Sequence, residues 1–198
     1  MIDLYLNSHK KPVTRNSDVL LITGDGKTAP DDLKRFLDWN IAHDVLCLGR
    51  SIKLYPGFID HYVDVDSDAG KWVLENLEKN NPDQIGPEGV LKHTLGFVEW
   101  CDCDWDMKDS PWPMADVMWH GSSALFAVYI GLQMGYKQLY LAGCPLDSKG
   151  HWYFPDEPYG PRWTMETYQA WLEFAATKEA KQVTSLSGYT RTMLNGVS

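Results

Sequence analysis

The chain has little positive charge and no long apolar run, and each shortage excludes a class of function. Its 18 lysines and arginines stand against 27 aspartates and glutamates, which gives a net charge of −9. Nucleic acids and anionic membranes attract basic surfaces, so we expect neither to be a main partner. No stretch approaches the roughly 20 apolar residues of a membrane-spanning helix. Residues 1–5 also lack the basic and apolar regions of a signal peptide, so we expect none.

Cysteine is scarce as well, with four residues in the chain. Cys47 and Cys144 lie in or beside apolar segments that predict buried strands, where a thiol acts as a small apolar group. Cys101 and Cys103 are too close in sequence for an ordinary disulfide and lack the second pair of a strong zinc motif. We interpret residues 101–113 as an irregular acidic loop and expect a reducing, cytoplasmic setting.

Short apolar strands alternate with helical patterns along most of the chain. The strands are predicted at 19–23, 45–48, 61–65, 94–100, 139–142 and 182–186, and helical segments at 31–41, 68–77, 90–93, 124–134 and 163–178. This alternation predicts an α/β fold with a mostly parallel sheet covered on both faces by helices. The length of 198 residues fits one domain. We therefore predict a single-domain, three-layer Rossmann-like fold.

Two segments outside this pattern carry separate expectations. Residues 3–6 form either an edge strand or a piece of surface chain. Residues 145–161 hold four prolines and several aromatic residues, which predicts a long lid loop of the kind that closes over ligands. The sequence leaves the oligomeric state open.

Three glycine-containing turns follow predicted strands or precede a helix. In doubly wound sheets, ligands bind beyond the carboxyl ends of the strands, and a capped helix N-terminus attracts phosphate. We therefore predict that the turns bind a nucleotide or phosphate. The residues concerned are Gly24, Asp25, Gly26, Lys27, Thr28, Gly49, Arg50, Ser51, Gly121, Ser122 and Ser123, with Gly143 after the strand at 139–142.

Two cations in these turns are candidates for neutralising an anion. Lys27 would supply a point charge, and the planar fork of Arg50 suits phosphate or carboxylate. The alternatives are a plain strand-to-helix turn at Lys27 and a solvated surface arginine at Arg50. We favour the anion-binding interpretation slightly for the first turn because it follows a strand.

One segment resembles a known family. A small serine–glycine turn at 121–123 precedes an apolar helix that ends at Gly135-Tyr136-Lys137, and a short strand follows that ends at Gly143. The arrangement is similar to the nucleotide-binding fold of the bacterial sialyltransferases of the Campylobacter type and of the archaeal 6-hydroxymethylpterin diphosphokinase-like proteins. The resemblance implies a transferase that moves a glycosyl or diphosphate group from a nucleotide or nucleotide sugar to a small acceptor.

The chain departs from that family where the sialyltransferase histidine would begin the late helix. Arg162 occupies this region, and the departure favours a second hypothesis, a nucleotide-binding module without turnover. If the chain is an enzyme, His151 is a candidate acid or base because its ordinary pKa lies near neutrality. Asp147 is the competing base. We expect the acceptor to be held by lid residues, namely Trp152, Tyr153, Tyr159 and Arg162.

A third hypothesis rests on the carboxylates of Asp64 and Asp66. An Asp-x-Asp pair after a strand can hold Mg²⁺ in metal-dependent transferases and hydrolases. The simpler interpretation is a strand end followed by carboxylates in the first turn of a helix, where they complement the helix dipole. We favour the simpler interpretation and treat Mg²⁺ as a possible cofactor only.

Overall fold

The chain folds around one eight-stranded sheet in a computed structural model. The structure describes residues 3–9, 15–64, 73, 75, 79, 82–85, 89–95, 102–108, 122–147, 149–153 and 165–196. The strands are β1 (Asp3–His9), β2 (Val19–Thr23), β3 (Asp44–Leu48), β4 (His61–Val63), β5 (Leu91–Leu95), β6 (Cys103–Lys108), β7 (Gln138–Ala142) and β8 (Val183–Ser185).

The strand order reverses at β2. The order across the sheet is β1-β6-β5-β4-β3-β2-β7-β8. Strands β2 to β6 follow one another on one side, whereas β7 and β8 lie on the other side of β2. All neighbouring pairs are parallel except β1 and β6, which are antiparallel at the edge. The prediction of a mostly parallel sheet is confirmed, and the point between β2 and β7 is a topological switch point.

Helices cover both faces of the sheet because its central strands are apolar on both sides. The described helices are α1 (Ala29–Asp38), α2 (Ser123–Gln133), α3 (Met165–Ala175) and α4 (Gly188–Asn195), with short 3-10 helices at Gly49–Lys53, Pro82–Gln84 and Glu179–Gln182. Leu20 and Ile22 pack with α2 and α3 on one face. Leu21, between them, packs with α1 on the other face. The alternation of a strand thus produces three layers.

Helix α2 is apolar all round and lies against the centre of the sheet. Ser122 caps its start and accepts a hydrogen bond from the amide of Leu125 at 3.3 Å. Gly135, with φ of +84°, ends it. The amide of Tyr136 then donates to the carbonyl of Gly131 at 3.2 Å, which is the hydrogen bond of a Schellman ending.

Most predicted elements are confirmed within two or three residues, but the segment before α2 is not. Residues 90–93 were expected to form a helical turn before a strand at 94–100, and 101–113 an irregular loop, yet the structure has β5 at Leu91–Leu95 and β6 at Cys103–Lys108. Residues 96–100 and most of the helix expected at 68–77 lie outside the described residues. The alternation of Cys103, Trp105 and Met107 with aspartates is a strand pattern, and the acidic composition hid it. Helix α4 was not predicted. Residues 3–6 belong to β1 at the edge of the sheet, so the first of their two predicted alternatives, an edge strand, is confirmed.

None of the described helices is both long and apolar enough to cross a bilayer. Cys47 and Cys144 are buried free thiols. Cys101 lies outside the described residues.

Candidate functional site

The turns that follow β2 and β7 meet backbone to backbone at the switch point. The amide of Gly24 donates to the carbonyl of Ala142, and the amide of Gly26 donates to the carbonyl of Gly143, both at 2.8 Å. A Cβ atom on Gly24 would lie 2.6 Å from the Gly143 carbonyl oxygen. A Cβ atom on Gly143 would lie 2.4 Å from the methyl group of Ala29. Glycine is needed here because the two turns leave no space between them.

This contact changes where a ligand can lie. The amides of Gly24 and Gly26 are used in the seam between the turns, and the amide of Lys27 donates to the carbonyl of Gly150 at 2.9 Å. In this conformation the turn does not present these three amides to an anion. The side chain of Asp25, in the same turn, reaches instead the neighbouring turn after β3. A candidate site therefore lies on the β2–β3 side of the switch point.

The side chain of Asp25 joins the turns after β2 and β3. Its Oδ2 accepts a hydrogen bond from the amide of Arg50 at 3.0 Å. Gly49 has φ of +50°, and a Cβ atom there would lie 2.6 Å from the same oxygen. Oδ1 is buried and has no hydrogen-bond partner. The carboxyl group is therefore held by one oxygen and unsatisfied at the other.

Burial raises the pKa of Asp25 to about 7, because a carboxylate loses its hydration there. The amide of Arg50, the indole of Trp152 and the guanidinium charge of Arg50 act in the opposite direction, whereas the charge of Asp64 adds to the rise. A carboxyl group that titrates near neutral pH can both accept and release a proton under working conditions. Perturbed groups of this kind concentrate at functional sites.

Residues 150–153 form a roof over Asp25. Gly26 and His151 make an isolated antiparallel bridge, and Nδ1 of His151 lies 3.2 Å from the carbonyl oxygen of Asp25. A carbonyl oxygen only accepts, so Nδ1 carries the hydrogen and Nε2 is the basic nitrogen. The ring of His151 stacks on Tyr153 with centroids 4.9 Å apart and an angle of 7°. The guanidinium carbon of Arg50 lies 4.6 Å from the Tyr153 centroid.

Trp152 adds a second unsatisfied group to this roof. Its backbone amide donates to the carbonyl of Asp25 at 3.2 Å, and its ring meets Tyr153 edge to face at 5.4 Å. The indole Nε1 is buried without a hydrogen-bond partner. Sequence reasoning had placed Trp152 and Tyr153 in a lid, and Asp25 only in a binding turn. The signal for the different role of Asp25 was its place between two glycines directly after a buried strand.

The other predicted binding residues are mostly engaged in holding the fold. The Ser51 hydroxyl is fully buried and lies 2.7 Å from the carbonyl of Thr23. Thr28 Oγ1 lies 2.8 Å from the Ser187 hydroxyl, and the amide of Gly143 donates to Asp32 at 3.0 Å.

Asp147, the competing candidate base, accepts a hydrogen bond from the amide of Lys149 at 3.1 Å and forms an ion pair with the side chain of the same lysine. Ser122 and Ser123 lie at the start of α2. Outside the described residues lie Gly121, Tyr159, Arg162 and Asp66.

Asp64 follows β4 at the same edge and accepts a hydrogen bond from the Tyr62 hydroxyl at 2.9 Å. Among the residues that the structure describes, no three histidine, cysteine, aspartate or glutamate side chains are placed to hold a metal ion together. Because Asp66 is not among them, the Asp-x-Asp hypothesis stays a prediction.

A second buried polar cluster lies near the opposite edge, where β3 and β4 begin. The Tyr136 hydroxyl donates to Asp44 Oδ2 at 2.8 Å and lies 2.9 Å from His61 Nε2. His61 Nδ1 in turn lies 3.2 Å from His93 Nε2. All four side chains are at most 2% exposed. Because the tyrosine proton is given to Asp44, His61 Nε2 donates to the hydroxyl oxygen; when both imidazoles are neutral, His61 Nδ1 then accepts from His93 Nε2.

Burial lowers the pKa of His61 to about 4, and the charge of Asp44 offsets part of this effect. The pKa of His93 is also lowered, first by burial and then by His61. Both histidines therefore stay neutral near pH 7. The cluster connects β3, β4, β5 and the segment after α2, and its role is to fix their packing.

The raised pKa of Asp25 predicts a pH-dependent gain in stability when its charge is removed. The unfolded carboxyl group ionises near pH 3.8, whereas the folded one ionises near pH 7, so the contribution of Asp25 to stability falls as pH rises through this range. Relative to the wild type, the free energy of unfolding of Asp25→Asn is expected to be about 1–3 kcal/mol higher at pH 8 than at pH 5. Urea denaturation at both pH values measures the gain. If the difference in free energy of unfolding between Asp25→Asn and the wild type is the same at pH 5 and pH 8, Asp25 does not have a raised pKa. Asp38→Asn, which removes an exposed carboxylate, is the control.

Comparison with models of protein families, with curated proteins and with solved structures found no significant match.

Proposed function

We propose that the chain is a transferase that binds a phosphorylated donor, a nucleotide or nucleotide sugar, beside Arg50 and uses Asp25 as its base. The observation that carries the proposal is the buried Asp25 carboxyl group, with a pKa of about 7, at the carboxyl edge of the sheet. Ligands of doubly wound folds bind at this edge. An ordinary surface aspartate would be ionised and too weak a base for an alcohol at neutral pH.

The chemistry follows from the placement of the groups. Asp25 would take the proton of an acceptor hydroxyl, and the oxygen would form a bond to the transferred glycosyl or diphosphate group. The bond to the nucleotide phosphate would break, and its electrons would leave with the phosphate. Arg50 would neutralise that charge, since its guanidinium lies at the Tyr153 ring beside the site. His151 Nε2, the basic nitrogen of its ring, is the second candidate for proton transfer.

Thermal denaturation with candidate ligands tests the proposal. CMP, CTP, ATP, GDP-sugars and pterins are each added with Mg²⁺ or with EDTA. A ligand at 100 times its Kd stabilises by about 2.7 kcal/mol, which for this size corresponds to a rise in Tm of roughly 5–10 °C. We expect at least one nucleotide to give such a rise. The rise should be lost in Arg50→Ala and kept in Lys53→Ala, a cation on the same 3-10 helix.

Two results would contradict the proposed donor site. If no nucleotide raises Tm, or if Arg50→Ala responds as the wild type does, the proposed donor site is wrong. A rise that depends on Mg²⁺ and disappears in Asp66→Asn would favour the metal-dependent transferase or hydrolase.

A non-catalytic nucleotide-binding module is the second candidate. It is favoured by the contact between Asp25 Oδ2 and the Arg50 amide, because a carboxylate of the chain itself occupies an amide that a catalytic site would offer to the donor. Binding of a nucleotide without turnover of any acceptor, in the wild type and in Asp25→Asn alike, would support this candidate.

A further inference from the structure

Two buried polar atoms beside each other lack hydrogen-bond partners at the proposed site. They are Asp25 Oδ1 and Trp152 Nε1, an acceptor and a donor. A buried polar group without a partner costs roughly 1–3 kcal/mol, so two complementary ones in contact need a reason. The indole N–H favours the charged form of Asp25, which places it close to the carboxyl group, although the pair falls short of a hydrogen bond.

The surroundings hold both side chains where they are. Asp25 Oδ2 is fixed by the amide of Arg50. The backbone of Trp152 is fixed by the carbonyl of Asp25, and its ring by the edge-to-face contact with Tyr153. Only a small rotation of the indole or the carboxyl group is then left. When Asp25 is protonated, Oδ1 has little need of a donor; when it is ionised, Oδ1 is a strong acceptor.

We propose that Trp152 is the positioning residue of Asp25, its indole N–H being the donor that closes onto Oδ1 when the carboxyl group ionises. The hydrogen bond holds the carboxylate toward the place from which it takes a proton, and it opens again once the proton has arrived. Trp152 acts through Asp25 and needs no contact with substrate. The catalytic meaning rests on the proposed function, whereas the pairing itself does not.

Trp152→Phe tests the pairing because it keeps an aromatic ring against Tyr153 and removes only the donor. Carbon-13 NMR of the Asp25 carboxyl group, assigned with Asp25→Asn, gives its pKa without any ligand. In Trp152→Phe we expect this pKa to rise by roughly half a unit or more above the wild-type value. The matched control is Trp171→Phe, since Trp171 Nε1 is also buried without a partner but belongs to the core under α3. The control should leave the pKa of Asp25 unchanged.

A second measurement in the wild type keeps the test decisive if Trp152→Phe does not fold. The indole N–H proton of Trp152 should move downfield as pH rises, with the same midpoint as the Asp25 carboxyl group, while that of Trp171 stays still. An unchanged Asp25 pKa in folded Trp152→Phe, or an indole signal that does not follow Asp25, overturns the pairing. If the pairing holds but no nucleotide raises Tm, the proposed function fails and the pairing stands.

Discussion

Replacing Asp44 by alanine is expected to destabilise the protein by about 3–5 kcal/mol. Asp44 is 2% exposed, and its Oδ2 accepts the Tyr136 hydroxyl at 2.8 Å and the amide of Asn16 at 2.9 Å. The amide of Ser17 is a third donor at 3.3 Å. Alanine would leave the buried Tyr136 hydroxyl, to which His61 donates, without its acceptor. It would also remove the acceptor of the amides of Asn16 and Ser17, which lie nearer the surface. Urea denaturation at pH 7 measures the loss.

Two further variants are compared with Asp44→Ala. Asp44→Asn keeps one oxygen acceptor at the same place and should lose less than the alanine variant. Asp38→Asn changes an exposed carboxylate and should stay within about 0.5 kcal/mol of the wild type. A loss below about 1 kcal/mol in Asp44→Ala would contradict the view that this cluster holds β3, β4 and β5 together.

The contribution of the same cluster to stability should decrease in mild acid. His61 has a pKa of about 4 in the folded chain and of 6.5 when unfolded. Its contribution is therefore fully present above pH 6.5 and is lost as pH falls toward 4, because the unfolded chain binds the proton first. Between pH 7 and pH 5 the loss from His61 should be about 2 kcal/mol. The lowered pKa of His93 acts in the same direction.

Comparison with His61→Gln isolates this effect. Glutamine offers an amide N–H to the Tyr136 hydroxyl and does not titrate, whereas Asp25 and the other carboxyl groups titrate in both proteins and cancel. The stability advantage of the wild type over His61→Gln should shrink by about 2 kcal/mol from pH 7 to pH 5. A constant advantage over this range would show that His61 is not held neutral by burial.

The sheet was predictable from sequence wherever apolar character alone decides the structure. Strands β2 and β3 are buried on both faces and mainly apolar, β7 is apolar over 139–142 with Tyr140 half-buried, and α2 is apolar all round. Strand β6 carries two aspartates among its six residues, Cys103–Lys108, because it lies next to the edge of the sheet. Its alternating pattern competes with a composition typical of loops, and only its pairing with β1 and β5 decides the outcome.

The candidate site was predictable only in part. The edge of the sheet and the residues of the β2 and β3 turns follow from the order of strands and helices. The close packing of Gly24 against Gly143 does not, because it depends on how two turns distant in sequence approach each other. The same holds for the roof: nothing local to Asp25 indicates that His151 and Trp152, more than 120 residues later, hydrogen-bond to its backbone carbonyl.

The titration of the Asp25 carboxyl group in the wild type is the direct test of its proposed role as the base. Carbon-13 NMR of the protein labelled at aspartate, with the Asp25 signal identified by its absence in Asp25→Asn, follows ionisation from pH 3 to pH 9. The midpoint of the Asp25 titration should lie near pH 7. A midpoint below about 5, within the ordinary range of aspartates, would mean that the roof of residues 150–153 does not bury the carboxyl group, and Asp25 would then lose its role as the base.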